Sequence, residues 1–458
     1  MRMRIALLLV PLFIVGCTAT PPDNNNTDGE SEYKTEAHVQ EQDVNETIIT
    51  ELTTVNQNQT ESETSAIAPE TPSRETDMLS SAPETVPETT AIPEPSGSEL
   101  IPDAAFRAAI EELLGKKDFT ADDLTKITSL DVIGKGISDL SGIALFSSIR
   151  ELHCSENEIT ALDVSHNVNL VYLSCGGNEM TTLDISGNSM LELLYCEYNS
   201  LSALDVSQNV ALRELVCSNN ELATLNLRFN FALQSLYCYG NPLGSLDVSE
   251  NTSLQVLNCG KDNLVTVDLS NNTALVMFFH TYGQLTMLDV SNNTELERLG
   301  CYSNQLTTLD VSNNPKLVQL SCDNNQLSTL NLGKNNTLEK INCRSNLLTS
   351  LDVSGCTALY ELWCYNNQLA KLDVSGCTNL WELRCYENHL TTLNVRGCAK
   401  LERLLCSDNQ LTALDVSNNT ALQYLEADYN NIASIEDVTG RIGTLIEGDN
   451  FLFFPQNG

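Results

Sequence analysis

A cysteine stands every 21 residues along most of this chain: Cys154, Cys175, Cys196, Cys217, Cys238 and Cys259, then Cys301, Cys322, Cys343, Cys364, Cys385 and Cys406. His280 holds the one missing rung. A period kept that strictly implies a solenoid, in which each repeat is one coil that cannot bury its apolar side alone and stacks on its neighbours. Solenoids present long surfaces to partners, and few carry catalytic machinery of their own.

Each coil reads L-x-x-L-x-C-x-x-N-x followed by L-x-x-L-D-V-S-x-N-x-x, as in Leu191, Leu194, Cys196, Asn199, Leu201, Leu204, Asp205 and Val206. In both halves an apolar pair at spacing two (Leu194/Cys196, then Leu204/Val206) points inward from a short extended segment. An Asn follows where the chain must turn. The pattern predicts a mostly β, right-handed coil with two short parallel sheets, the second face being either a sheet or irregular and 3₁₀. The first repeat, aligned on Leu130 and Leu152, is 22 residues long, and the solenoid is expected over residues 130–441.

Ladder cysteines on adjacent in-register strands have parallel Cβ vectors about 4.8 Å apart, wider than the roughly 3.8 Å of a disulfide. They read as a buried apolar rung of free thiols. No metal site is expected, because there is no C-x-x-C pair and a straight row cannot supply a tetrahedron. No cofactor is expected either.

The coils are flanked by segments of other character. Residues 1–16 carry Arg2 and Arg4 before an apolar run that is too short to span a bilayer and reads as a signal peptide. Gly16 before Cys17 resembles the bacterial lipoprotein signal, which implies a lipid on Cys17. Residues 17–98 are acidic and rich in Thr, Glu and Pro, and they cannot bury enough apolar area to offset their ordering entropy. This segment reads as a disordered tether. Residues 99–129 are expected to form a helical cap: Asp103 starts a helix with Phe106, Ile110, Leu113 and Leu114 on one face, Gly115 ends it, and Thr120 to Asp123 resembles a capping box for a short helix through Lys126. Residues 442–458 read as a terminal half-coil, with Ile442, Leu445, Glu447, Asn450 and Leu452 on register and Phe451, Phe453 and Phe454 covering the end.

Two polar ladders run beside the apolar ones. Asn occupies the ninth coil position in 12 of 14 coils, with Asp262 and Gly283 the exceptions. Its amide is expected to bond backbone groups of neighbouring turns. The coil holding Gly283 also departs from the pattern at Phe278 and His280, which reads as a tolerated defect or a small bend. Asp recurs at Asp163, Asp184, Asp205 and seven later coils. Each is expected to accept from a nearby backbone group or from the Ser two residues on, in preference to holding calcium.

This pattern resembles the bacterial leucine-rich repeat family, in its cysteine-bearing 21-residue class, and is similar to internalin-like surface proteins over about residues 99–458. The resemblance implies that the strand before the Asn lines a concave binding face, with the third, fifth, seventh and eighth coil positions outward. Of those 56 positions 13 are aromatic, against 6% aromatics in the chain, and core packing does not explain the excess. The candidate binding residues are Tyr195, Tyr198, Tyr237, Tyr239, Phe279, Tyr282, Tyr302, Trp363, Tyr365 and Tyr386. Tyr and Trp recur at recognition surfaces. Arg298, Lys340, Arg344, Arg384 and Arg403, among Glu214, Glu361, Glu382, Glu387 and Asp408, would give the face a specific rim.

A net charge of −37 argues against nucleic acid and against an anionic membrane as direct partners. The chain is expected to touch a membrane through its lipid anchor only. The five histidines stand in no nucleophile or metal motif, so an enzyme is not expected. The expectation is a protein displayed at the bacterial cell surface, on the outer membrane or the outer face of the cell membrane. Its adhesive partner would be a protein of a host or neighbouring cell, or alternatively a glycan taken by the same aromatic face.

Overall fold

The computed structural model describes residues 97–456 except 442 and 444. The expected signal peptide, Cys17 and nearly all of the tether lie outside the described residues, as does Ile442. Three helices open the described part: α1 (Gly97–Leu100), α2 (Ala104–Leu114) and α3 (Ala121–Leu124). Asp103 caps α2 by accepting from the Phe106 N–H at 2.8 Å, and its other oxygen accepts from Ser138 and Asp139 of the first coil. One carboxylate therefore starts the helix and ties it to the repeats. Phe106 and Ile110 are buried, but Leu113 is 54% exposed, so the expected four-residue apolar face is narrower. Gly115, at φ 66°, ends α2, and α3 stops at Leu124.

Sixteen strands then form one parallel sheet, and its order follows the chain throughout. Register is set by the inward residue at the centre of each strand, two before the cysteine in most coils and before Val132 in the first: Leu130 pairs Leu152, Leu152 pairs Leu173, and Leu173 pairs Leu194. A shift of one residue would turn every leucine outward, so the pattern tolerates a single register. Most strands are three residues long. One contiguous apolar core runs inside the coils from Ile101 to Phe453.

The second face differs from a continuous sheet. It holds three separate two-stranded pieces, such as Thr308–Asp310 with Thr329–Asn331, and an isolated bridge between Asp163 and Asp184. Elsewhere it is irregular, and the 3₁₀ turns lie only at Ile143–Leu145 and Ile435–Asp437 among the described residues. On this face each Asp Oδ1 takes the N–H of the Ser two residues on, both where strands form (Asp310 to Ser312, 2.9 Å) and where they do not (Asp205 to Ser207, 2.9 Å), which turns the chain directly after the short extended segment.

The terminal coil also departs from expectation. Phe451 pairs with Leu425, a step of 26 residues where the expected register placed Leu445 opposite Leu425. Glu447 is exposed in the intervening turn and points into no core. Phe451 and Phe453 are buried and close the stack, while Phe454 is 65% exposed. The burial of two aromatic rings outweighs the register of a polar Glu.

Candidate functional site

Alternation along each three-residue strand decides what faces outward. Leu362 and Cys364 point into the core and are fully buried, so Trp363 and Tyr365 stand on the outer face, both half-buried. The strand ends abruptly: the eighth position of all 14 coils has positive φ, twelve of them non-Gly, from Glu156 at 59° to Tyr429 at 49°. Tyr198 and Tyr282 therefore sit on a left-handed turn at the rim and not on the strand, and they are 61% and 38% exposed.

The densest group lies towards the C-terminal coils. Tyr365 and Tyr386 stack with ring centroids 4.2 Å apart and planes within 14°. The Arg344 guanidinium donates to Tyr365 Oη at 2.6 Å and to the buried Asp323 carboxylate at 3.3 Å. Arg384 lies 4.6 Å from the Trp363 ring centre, and Arg403 lies 5.1 Å from that of Tyr424. Glu382 joins these pairs: its carboxylate, almost wholly buried, accepts from Trp363 Nε1 (3.1 Å), Arg384 (3.2 Å) and Arg403 (2.9 Å). Two buried carboxylates thus hold three arginines within 4.6–5.6 Å of aromatic ring centres.

The other candidates are more scattered. Tyr195 packs edge-on against Tyr172 at 5.2 Å and donates to Glu214 at 3.0 Å. Tyr282 and Tyr302 meet at 5.3 Å, and Tyr237 and Tyr239 are half-buried. Burial pushes the Tyr172 and Tyr302 hydroxyls up to about 12. Glu197 and Glu214 beside the first cluster are raised by burial too. Phe279 is not part of an exposed face: it is 7% exposed and its ring covers Gly300, whose missing side chain leaves the space.

An aromatic pair outside the expected positions also emerges. Tyr360 and Trp381 occupy the second coil position and stack at 5.4 Å, beside a shallow groove of about 590 Å³ that Glu339, Asn379, Lys400 and Glu402 also line. The signal was in the sequence, because that position is aromatic in no other coil.

Inside the sheet the twelve ladder cysteines are free and fully buried in one column. The functional domain of InlJ from Listeria monocytogenes, whose structure includes a cysteine ladder, is 31% identical to this chain. The match covers 75% of this chain and 78% of that one, with a TM-score of 0.70. The chain belongs to the internalin family of leucine-rich repeat proteins. The internalin InlF of the same species is 25% identical over 69% of this chain and 98% of its own, with a TM-score of 0.62. A leucine-rich repeat protein of Leptospira interrogans shares the fold at 23% identity, over 68% of this chain and 93% of its own, with a TM-score of 0.59. No family model matches the chain, and no curated protein does.

The polar ladders of this internalin are internally satisfied on one side. Asn367 donates to Cys343 O, Cys364 O and Tyr365 O, and its Oδ1 accepts from Leu348 N. A second buried Asn series bridges the other turn, as Asn188 does to Val164 O and Asn167 O. In three coils cysteine replaces that Asn, and Cys398 makes only a 3.2 Å thiol contact to Val374 O. Each Asp of the Asp ladder is bonded to its Ser, which holds its carboxyl below the usual range, as at Asp163 and Asp184. No helix among the described residues is long and apolar enough to cross a membrane.

Proposed function

We propose that this internalin binds a protein partner through the outward face of its long sheet, centred on Trp363, Tyr365 and Tyr386 with Arg344, Arg384 and Arg403. In the fuller reading the chain is exported, lipid-anchored at Cys17 on the bacterial cell surface, and adhesive towards a host or neighbouring cell. The observation that carries the binding site is the pair of buried carboxylates, Asp323 and Glu382, that fix arginines over the rings. Side chains already immobilised lose little entropy when a partner arrives, and Trp, Tyr and Arg are the residues that dominate protein interfaces. Neither buried carboxylate contributes to the core, so their placement serves the surface.

The same rings would stack on sugars, and one experiment separates the two ligands. The full chain is offered purified receptor ectodomains and polysaccharide arrays, alongside Trp363→Ala and Tyr365→Ala. Binding to an ectodomain that both variants lose supports the reading. Binding to polysaccharides alone replaces it, and variants that bind every ligand as the parent does remove this face from consideration.

A further inference from the structure

The coil with the missing rung is built differently from its neighbours, and its departures form one unit. Asp262 stands where other coils have Asn, His280 where they have Cys, and Gly283 where the next Asn belongs. The strands Val256–Gly260 and Met277–Thr281 are the longest in the sheet and pair Cys259 directly with His280. The imidazole leaves the cysteine column and turns into the space opened by Gly283. That movement brings a sulfur, a carboxylate oxygen and a ring nitrogen within 4.8 Å of one another, the one such group among the described residues.

Proton bookkeeping shows what this arrangement lacks. His280 Nδ1 lies 3.2 Å from Asn304 Oδ1. The amide orientation is fixed, because Asn304 Nδ2 donates to His280 O, Cys301 O and Tyr302 O. On the other side His280 Nε2 lies 3.1 Å from Asp262 Oδ1. The ring thus faces acceptor oxygens on both sides, whereas a neutral imidazole has a single N–H. With the proton on Nδ1, Nε2 meets the carboxylate through either a second proton, which makes an imidazolium paired with Asp262 Oδ1, or a metal ion in that proton's place, and only the metal ion can also reach the second carboxylate oxygen. Independently, Asp262 Oδ2 is buried and has no hydrogen-bond partner, although both side chains are fully buried. A buried carboxylate oxygen left bare is costly unless a cation meets it.

We propose that Cys259, Asp262 and His280 form a buried three-donor site for a divalent cation of the zinc type. Thiolate, imidazole and carboxylate are the donors zinc takes, and a buried site with three protein donors would leave one further position. Asn304 supplies the outer support: by accepting from Nδ1–H it fixes the tautomer that leaves Nε2 free to ligate, as ligating histidines commonly require. The expectation drawn from a straight cysteine row does not apply here, since His280 leaves the row. With no path from solvent to a fully buried site, the cation would be taken up as the coils close around it.

The test refolds the full chain from denaturant with reductant and Zn²⁺, dialyses it, and counts metal by mass spectrometry. A second protein carries Asp262→Asn, His280→Cys and Gly283→Asn together, which rebuilds the pattern of the other coils and is therefore expected to fold. One zinc per parent chain and none in the triple variant is the expected result. With Co²⁺ in place of zinc, the parent should show a thiolate-to-metal absorption band that Cys259→Ser abolishes. Equal zinc in the parent and the triple variant overturns the proposal, as does a cobalt band indifferent to Cys259→Ser.

Discussion

The ring of His280 occupies the space that Gly283 leaves empty: a Cβ on Gly283 would stand 2.1 Å from His280 Cε1 and 3.0 Å from Asn304 Oδ1. Gly283→Ala therefore has to push a fully buried ring. We expect it to lower stability by about 1–3 kcal/mol, the usual cost of overpacking. Urea unfolding measures this directly, and an unchanged midpoint would mean that the two residues are not coupled.

Burial pushes every ladder thiol up, to about 12 at Cys154 and well above the ordinary value at Cys175, Cys196 and Cys217. The thiolate is the reactive form. At pH 8 a thiol reagent should leave these four unlabelled in the folded chain and label all of them in guanidinium, as peptide mass spectrometry would read. Labelling of Cys196 in the folded chain would place it outside the column.

The repeat, its register and the burial of its leucines and cysteines were legible because each depends on a spacing that recurs in every coil. What escaped was set by single residues. Phe279 is hidden because Gly300, one coil on, has no side chain to keep the ring up. Tyr198 and Tyr282 stand on a left-handed turn, which no residue-type pattern reveals when Tyr, Asn, Lys, Ser and Asp all occupy it. The second face pairs in only three places, although the Asp–Ser turn that follows it is the same in coils with and without strands. Of the candidate site, the outward coil positions of Trp363, Tyr365 and Tyr386 could be read in advance, the first on its strand and the other two just past theirs. Glu382 reads from its position as a charge of the exposed rim and no spacing marks Asp323, yet both are buried and organise the rings, and the Tyr360–Trp381 pair lies outside the positions considered.

Asp428, in the last full coil, is pushed up to about 6 by burial, with Glu426 and Asp408 adding negative charge nearby. Its folded value lies above its ordinary 3.8, so the folded chain holds the extra proton between the two. Stability should therefore rise as pH falls from 6 towards 4, as far as this group is concerned, and be lost as pH rises through 6. Asp428→Asn should stabilise the chain at pH 7.5 by about 1 kcal/mol, after discounting the shift for a half-exposed group, and should change little at pH 4. Equal effects of the substitution at both pH values would contradict this.

Asn367 satisfies three carbonyls and one N–H across adjoining coils. Asn367→Ala should cost about 2–3 kcal/mol, since buried backbone groups lose their partners with no water to replace it. An exposed neighbour, Gln368→Ala, should cost under about 0.5 kcal/mol, as surface substitutions usually do. Comparable losses in thermal unfolding from both would show that the ladder carries no special load.

The central claim is that the face organised by Glu382 and Asp323 receives the partner. Its most direct test is the affinity of the parent and of Trp363→Ala for an ectodomain that the parent binds, measured by surface plasmon resonance with thermal unfolding as the control for folding. Removing the ring frees Arg384 and strips a central contact, so affinity should fall at least tenfold, about 1.4 kcal/mol, while the folded state persists. An affinity equal to the parent's, in a variant that folds as the parent does, would contradict the account.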